Sequence, residues 1–296
     1  MSVARRSLTG MLALLLTAVA GVHRPARAQG GRLHLDVYTA DSNGFAVTST
    51  LIYGKTEGIL VDAQFRKSDA AKLADRIAAT GTHLKAIILT HAHPDHYFGT
   101  AVLVQRFPGT PIYISAGGLE EFARTVGPKI AQWTPVYGAE IPTQVPTPAV
   151  LPATKLTVDG EEIDVVNGLQ GDAATRSNSY VWIPSLSTVI AGDIVYNQVH
   201  VWLAESNAET RRAWLASLQQ LDVRHARTVV AGHKKSPALA DSPAAIGFTS
   251  RYIADFEKAK AAAHTPDELA AAMKRAYPDA GLLVALTFAA KAAFAN

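Results

Sequence analysis

Three histidines and an aspartate fall within six positions of the stretch THAHPDHYFG, Thr90 to Gly99, directly after the apolar run LKAIILT. His91 and His93 lie two apart, so both can point to one side as the chain leaves a strand, and Asp95 and His96 follow on the turn into a helix. Imidazole and carboxylate are ligands that zinc takes at about 2.0–2.2 Å with few geometric demands. The grouping can serve one ion through His91 and His93 and a second through Asp95 and His96. The sequence has no cysteine, so thiolate ligation is excluded and any metal site rests on His, Asp and Glu.

Two more candidates end apolar strands, where ligands in α/β sites gather. VIAGDIVYN puts Asp193 after a strand and a glycine, and VVAGHKK puts His233 in the same position after another. Beyond Asp193, the segment IVYNQVHVWLAE carries Tyr196, His200 and Trp202, which either line a substrate pocket or pack as an aromatic loop. Tyr97 and Trp133 are weaker candidates of the same kind. Lys234, next to His233, is placed to meet a substrate carboxylate or is simply solvated.

The elements that must position these residues follow from periodicity. LHLDVYT, FAVTSTLIYG and GILVDA read as a β-meander, KSDAAKLADRIAAT as a helix stopping at Gly81, and LKAIILT as a strand buried on both faces. A helix is expected from near His96 to before FPGTP, then a strand IYIS and a helix GLEEFARTV. The proline-rich residues 128–154 read as a long irregular segment, a loop bordering the site. The second half repeats the outline: strands near KLTVD, EEIDVV, NSYVWIP and STVIAG, a helix from about Ala208 to Leu221, and the strand RTVVAG. Alanine-rich helical stretches fill the last fifty residues, the final one, GLLVALTFAAKAAF, being too short for a membrane span and interrupted by Lys291.

Residues 1–28 have the layout of a secretory signal peptide, with arginines, the apolar run MLALLLTAVAGV and an A-x-A site at Ala26 and Ala28. The Arg5-Arg6 pair leaves twin-arginine export open, without its full pattern. Cleavage after Ala28 places the mature protein in the periplasm or outside the cell. Losing four leader arginines turns 28 basic against 25 acidic residues into 24 against 25, so the composition argues against a nucleic-acid partner. The remaining residues 29–296 are long enough for one large α/β domain, helical from about 242.

From Leu33 to about His233 the sequence resembles the metallo-β-lactamase fold superfamily of metallohydrolases. The resemblance rests on Asp62 after GILVD, the H-x-H-x-D-H run, Gly192-Asp193 and Gly232-His233. It implies an α/β (α+β) fold, the αββα sandwich, with two metals at one edge. The first metal would take His91 and His93, the second Asp95, His96 and His233, with Asp193 bridging and Asp62 orienting the ligand loop from behind. At the third motif the family usually places a Gly-His pair; here Gly171-Asp172 fits the slot, making Asp172 a carboxylate ligand in place of histidine. The added negative charge should raise the pKa of bound water.

Two ions about 3.5–4 Å apart can bridge a hydroxide and polarise a carbonyl, with Asp95 holding the nucleophile and passing a proton to the leaving group. The expectation is an exported hydrolase with two Zn²⁺ per chain acting on a small ester, lactone, amide or thioester. Two alternatives remain on the same fold: an iron-dependent oxidoreductase resembling the persulfide dioxygenases, for which Asp172 would suit iron, and a non-catalytic metal-binding protein. A β-lactamase proper is disfavoured, since the cysteine-ligated classes are excluded and the cysteine-free class generally lacks a bridging aspartate. Quorum-signal lactonases and glyoxalase-II-like thioesterases share that aspartate but normally keep the histidine that Asp172 replaces.

Overall fold

The computed structural model describes residues 33–295 and Met1, so the leader expected over residues 1–28 lies, apart from Met1, outside the described residues. The first half runs β1 (His34–Thr39), β2 (Thr48–Tyr53), β3 (Glu57–Val61), α1 (Lys67–Ala79), β4 (His83–Ile88), α2 (Pro94–Tyr97), α3 (Thr100–Arg106), β5 (Ile112–Ile114), α4 (Ala116–Tyr137) and β6 (Ala149–Val150). The second half runs β7 (Lys155–Val158), β8 (Glu161–Leu169), β9 (Asn178–Ile183), β10 (Thr188–Ile190), β11 (Tyr196–Asn197), α5 (Ala208–Asp222), β12 (Thr228–Val230), β13 (His233–Lys234), α6 (Ala244–Ala262), α7 (Pro266–Ala276) and α8 (Leu283–Ala292).

Strands β1 to β6 form one sheet in chain order, antiparallel as far as β3 and parallel beyond it. The other main sheet has the order β12-β10-β9-β8-β7. Strand side chains alternate between faces, and the buried residues sort accordingly. Ile52, Ile59, Val61 and Ile88 of the first sheet meet Ile163, Val165, Val181, Ile190 and Val230 of the second in one apolar layer. Their neighbours Leu51, Leu60 and Ile87 face outward against Leu73 and Ile77 of α1 and Leu103 of α3. On the far side, Tyr180, Val189 and Val229 pack under Trp214 of α5, Phe256 of α6, Met273 of α7 and Leu286 of α8. Each sheet thus buries one face on the other and one under helices, which is the αββα sandwich. No helix among the described residues is long and apolar enough to cross a membrane.

The proline-rich segment is a correction. Where an irregular stretch was expected from residue 128, α4 continues to Tyr137 across Pro128 and Pro135. Phe122, Val126, Ile130, Trp133 and Tyr137 recur at helical spacing, and all pack on the core that covers the first sheet. Burial of that face overrides the two missing N–H donors. The helix expected to start at His96 is also divided, into α2 and α3. At the junction, a Cβ on Gly99 would sit 1.8 Å from the Ala63 carbonyl oxygen, so only glycine lets the ligand loop press onto the chain leaving β3. Hydrogen bonds from Ala63 N to the His96 carbonyl and from Gly99 N to the Gln64 carbonyl, both 2.8 Å, lace the two segments together.

Topology brings the candidate residues to one edge. Strands β8, β10 and β12 run the same way, since β9 is antiparallel to both β8 and β10 and β12 is parallel to β10. Their C-terminal ends deliver Asp172, Asp193 and His233, while β3 and β4 deliver Asp62 and the His91–His96 loop.

Candidate metal centre

His91, His93, Asp172 and Asp193 each offer a ligand atom within 4.8 Å of the others, and so do Asp95, His96 and His233. In the first cluster, His91 Nε2 lies 3.5 Å from Asp172 Oδ1 and 4.0 Å from Asp193 Oδ2, and His93 Nδ1 lies 2.8 Å from Asp172 Oδ2. In the second, His233 Nε2 lies 3.3 Å from Asp95 Oδ2 and His96 Nε2 3.8 Å from it. Asp193, a member of the first, also borders the second: its Oδ2 is 4.0 Å from His91 Nε2, while its Oδ1 is 3.1 Å from His96 Nε2 and its Oδ2 3.0 Å from His233 Nε2. Asp172 therefore stands where the third-motif histidine was expected.

The donor set fits two divalent cations. His91 Nε2, His96 Nε2 and Asp193 Oδ1 are buried without a hydrogen-bond partner, a costly state for polar atoms unless an ion completes them. The charge states agree. Burial, reinforced by the His96 and His93 rings, holds the His91 pKa well below 6.5, favouring the neutral imidazole that binds metal. Burial alone would raise Asp193, but His233 and His96 hold it well below the usual carboxylate range. Asp172 is pushed up to about 7 by burial and by the neighbouring Asp193 charge, against the lowering influence of His93. A carboxylate kept there needs a cation beside it.

The side chains behind the ligands fix their orientation. Asp62, in the left-handed region at φ 61°, accepts from Thr90 N at 2.8 Å and Thr90 Oγ1 at 2.9 Å. Its Oδ2 is also 2.8 Å from His96 Nδ1. His233 Nδ1 donates to the Phe45 carbonyl at 2.7 Å, which leaves Nε2 as the ligand atom. A Cβ on Gly232 would fall 2.0 Å from Asp193 Oδ1, so the glycine before His233 makes room for the shared carboxylate.

A cleft opens on the centre and is lined by Asp95, Tyr196, Trp202 and Trp133, among others. Tyr196 was expected to meet substrate; its hydroxyl instead donates to Asp193 Oδ2 at 2.6 Å and reaches Asp172 Oδ2 at 3.2 Å, and its ring stacks on His233. Burial and the two carboxylates lift its pKa well above 10, so it remains a donor. His200 requires correction: it is buried away from the cleft lining with Nδ1 2.8 Å from the Tyr252 hydroxyl. The chain is irregular beyond the isolated bridge at Val199, so Trp202 lines the cleft while His200, two residues earlier, turns to α6. Tyr97 is likewise buried against Phe98 and Phe122, and Lys234 is paired with Asp241 at 2.8 Å.

Sequence reading missed Glu205 and Lys129. Glu205 Oε2 stands 3.5 Å from His93 Nε2, and its Oε1 accepts from Lys129 Nζ at 3.1 Å. Burial would raise the Glu205 carboxyl, yet His93 and Lys129 hold it far below the usual range. Neither residue lies in a motif, and only the tertiary fold brings a loop glutamate and a mid-helix lysine to the centre.

Two face-to-face sheets with a His/Asp centre at the strand ends define a metallohydrolase. A family model described as the metallo-beta-lactamase superfamily matches residues 42–233, and the chain belongs to that superfamily as a metal-dependent hydrolase. A metallo-beta-lactamase family protein from Thermus thermophilus superposes with a TM-score of 0.61 at 22% identity, over 88% of this chain and 91% of its own. The metallo-beta-lactamase from Pontibacter korlensis gives 0.53 at 20%, over 75% and 94%. These likenesses concern the fold. In sequence, the chain is similar to a hydroxyacylglutathione hydrolase from Aeromonas salmonicida (strain A449), 44% identical over 45 residues, 15% of this chain and 18% of that one. A second, from Blochmanniella pennsylvanica (strain BPEN), is 41% identical over 59 residues, 20% and 22% of the two chains, so the matches span about a fifth of those relatives.

Proposed function

We propose that the protein is an exported hydrolase that takes two zinc ions per chain and cleaves a small ester, lactone, amide or thioester. The observation that carries this reading is Asp193, a buried carboxylate set between His96 and His233 of one cluster, at 3.1 and 3.0 Å, and His91 of the other, at 4.0 Å, with the Nε2 atoms of His91 and His96 unsatisfied. When bound, the two ions supply Lewis acidity, lowering the pKa of water and polarising the bond to be cleaved. The chain's own groups supply the rest. Asp62, Thr90 and the Phe45 carbonyl fix the imidazoles in position. Tyr196 holds the Asp172 and Asp193 carboxylates, so neither is free to swing towards substrate. Asp95, with 14% of its side chain exposed, is positioned at the cleft to hold a water and hand its proton to the leaving group. The names of the two relatives matched over short stretches, both hydrolases, support the reaction class. Convergence of Asp95, His96 and His233 in a complete second cluster favours two ions over a mononuclear iron site.

Elemental mass spectrometry on protein purified without chelator or histidine tag tests the metal: two zinc ions per chain are expected, and a single iron would overturn the reading in favour of the oxidoreductase. Turnover of at least one substrate across an ester, lactone, amide and thioester panel is expected, and a metal-loaded protein that turns over none would instead be a non-catalytic metal binder. Export is tested by N-terminal sequencing of secreted protein, which should begin at Gln29.

A further inference from the structure

We infer that the substrate is an uncharged molecule with an apolar body, an acyl chain or ring lying along a wall made by Trp202, Leu282 and Val284, with the cleavable bond at the metal centre. This rests on the hydrolase reading above and names the substrate class of that same site. The first support is charge. Among the described residues, Lys129 is the one lysine or arginine lining the cleft, and its ammonium is already committed to Glu205 at 3.1 Å. Asp172, standing where the family places a neutral imidazole, further lowers the positive charge of a loaded centre. A carboxylate-bearing substrate would find no free cation in this lining and one more anion than usual.

The second support is the wall itself. Besides the ligands, the cleft lining carries the large apolar side chains Phe45, Trp133, Trp202, Leu282 and Val284. Leu282 is held in the left-handed region at φ 58°, a conformation that costs energy for a non-glycine residue and persists only where the surroundings enforce it. The enforcement is visible: Gly281 N donates to the Gln198 carbonyl at 3.0 Å and His200 N to the Gly281 carbonyl at 2.9 Å. These bonds fix the start of α8 against the cleft.

The third support is continuity. Leu283, Val284 and Phe288 of α8 are 46%, 37% and 40% exposed, large apolar groups that soluble proteins seldom cluster without use. The Phe288 ring lies 5.5 Å from that of Trp202, so the apolar wall inside the cleft runs out over its rim. A chain too long for the cleft has a surface to follow.

The test uses the metal-loaded full chain with 4-nitrophenyl acetate, butyrate, octanoate and the anionic 4-nitrophenyl hemisuccinate. We expect kcat/KM to rise with chain length by up to about fourfold per buried methylene, with the hemisuccinate below the butyrate. Val284→Asp should lower the octanoate-to-acetate ratio. A flat series, or preference for the hemisuccinate, overturns the inference while leaving the hydrolase reading intact. A binding readout separates the two: titration with 1-octanol and 1-butanol, followed by tryptophan fluorescence, should show octanol binding tighter in the parent and losing most of that advantage in Val284→Asp. Tighter octanol binding without turnover of any ester, lactone, amide or thioester would sink the hydrolase reading alone, and equal binding of the two alcohols would sink the apolar wall.

Discussion

The two clusters that meet at Asp193 are supported in opposite ways. In the second, His96 and His233 are backed by acceptors, the Asp62 carboxylate at 2.8 Å and the Phe45 carbonyl at 2.7 Å. An acceptor behind an imidazole fixes the tautomer and raises the basicity of the ligating nitrogen. In the first, Asp172 is backed by donors, Asn178 Nδ2 at 3.1 Å and the Tyr196 hydroxyl at 3.2 Å, which compete for the lone pairs an ion would use. The groups behind the first cluster's imidazoles are weaker, the Thr90 hydroxyl 3.1 Å from His91 Nδ1 and Glu205 3.5 Å from His93 Nε2, the latter beyond a good hydrogen bond. The second cluster is therefore built to hold its ion more tightly, and the first to be deep but weak. Titration of the loaded protein with chelator should accordingly remove the first-cluster ion before the second; simultaneous loss of both would break the comparison.

The largest effect belongs to the shared ligand. Asp193→Ala deletes a carboxylate from both clusters, and we expect both ions to be lost and turnover to fall on the order of 10³-fold or more, equivalent to several kcal/mol of transition-state stabilisation. Retention of one ion would mean that Asp193 serves one cluster only. Asp172→Ala comes next. It should empty the first cluster, leave one ion in the second and preserve the far-ultraviolet circular dichroism, because the residue sits in a loop after β8 and carries no strand pairing. Unchanged metal content would show Asp172 to be a buried turn residue and not a ligand.

The residues behind the ligands sharpen the asymmetry. Asp62→Asn removes the charged acceptor from His96, and we expect roughly 10–100-fold weaker binding of the second ion, measured by competition with a chromogenic chelator. Glu205→Gln should weaken the first ion by less than this, because 3.5 Å to His93 is too long for strong coupling. If Glu205→Gln proves the more damaging, the first cluster is the better supported of the two.

The same contrast explains how much of the centre the sequence reveals. Six ligand candidates are readable because each follows an apolar strand or sits in one contiguous run, and because the Gly192-Asp193 and Gly232-His233 pairs mark close packing that a side chain would block. Asp172 is readable only by its place in an ordered series. Glu205 and Lys129 are not readable, since Glu205 pairs with His93 and with Lys129, 76 residues away, and nothing local constrains them. The sandwich follows from alternating apolar strands, but α4 does not follow from composition: prolines suggested a loop, whereas Phe122, Val126, Ile130, Trp133 and Tyr137 already carried the helical repeat. Periodicity was the stronger signal, because a buried face outweighs two lost hydrogen bonds. His200 misled in the reverse direction, an imidazole near a ligand whose neighbours turn it inwards.

That inward histidine supplies the smallest effect and a control for both clusters. Burial, with a lesser contribution from the Lys274 charge, lowers the His200 pKa from 6.5 to about 4. Above pH 6.5 the residue is neutral in the folded and unfolded chains alike and adds no pH dependence. As the pH falls from 6.5 towards 4 the unfolded chain takes up a proton that the folded one refuses, so stability is lost across that window. Between pH 7 and pH 5 the loss is on the order of 2 kcal/mol. His200→Gln removes the titration, so the difference in unfolding free energy between pH 7 and pH 5, from urea denaturation, should shrink by about that amount relative to the parent. Metal content and the order of chelator removal should not change, because His200 touches Tyr252 and not a ligand. A variant that loses metal or turnover while keeping the parent's pH dependence would return His200 to the centre and remove the division between the interior and the cleft.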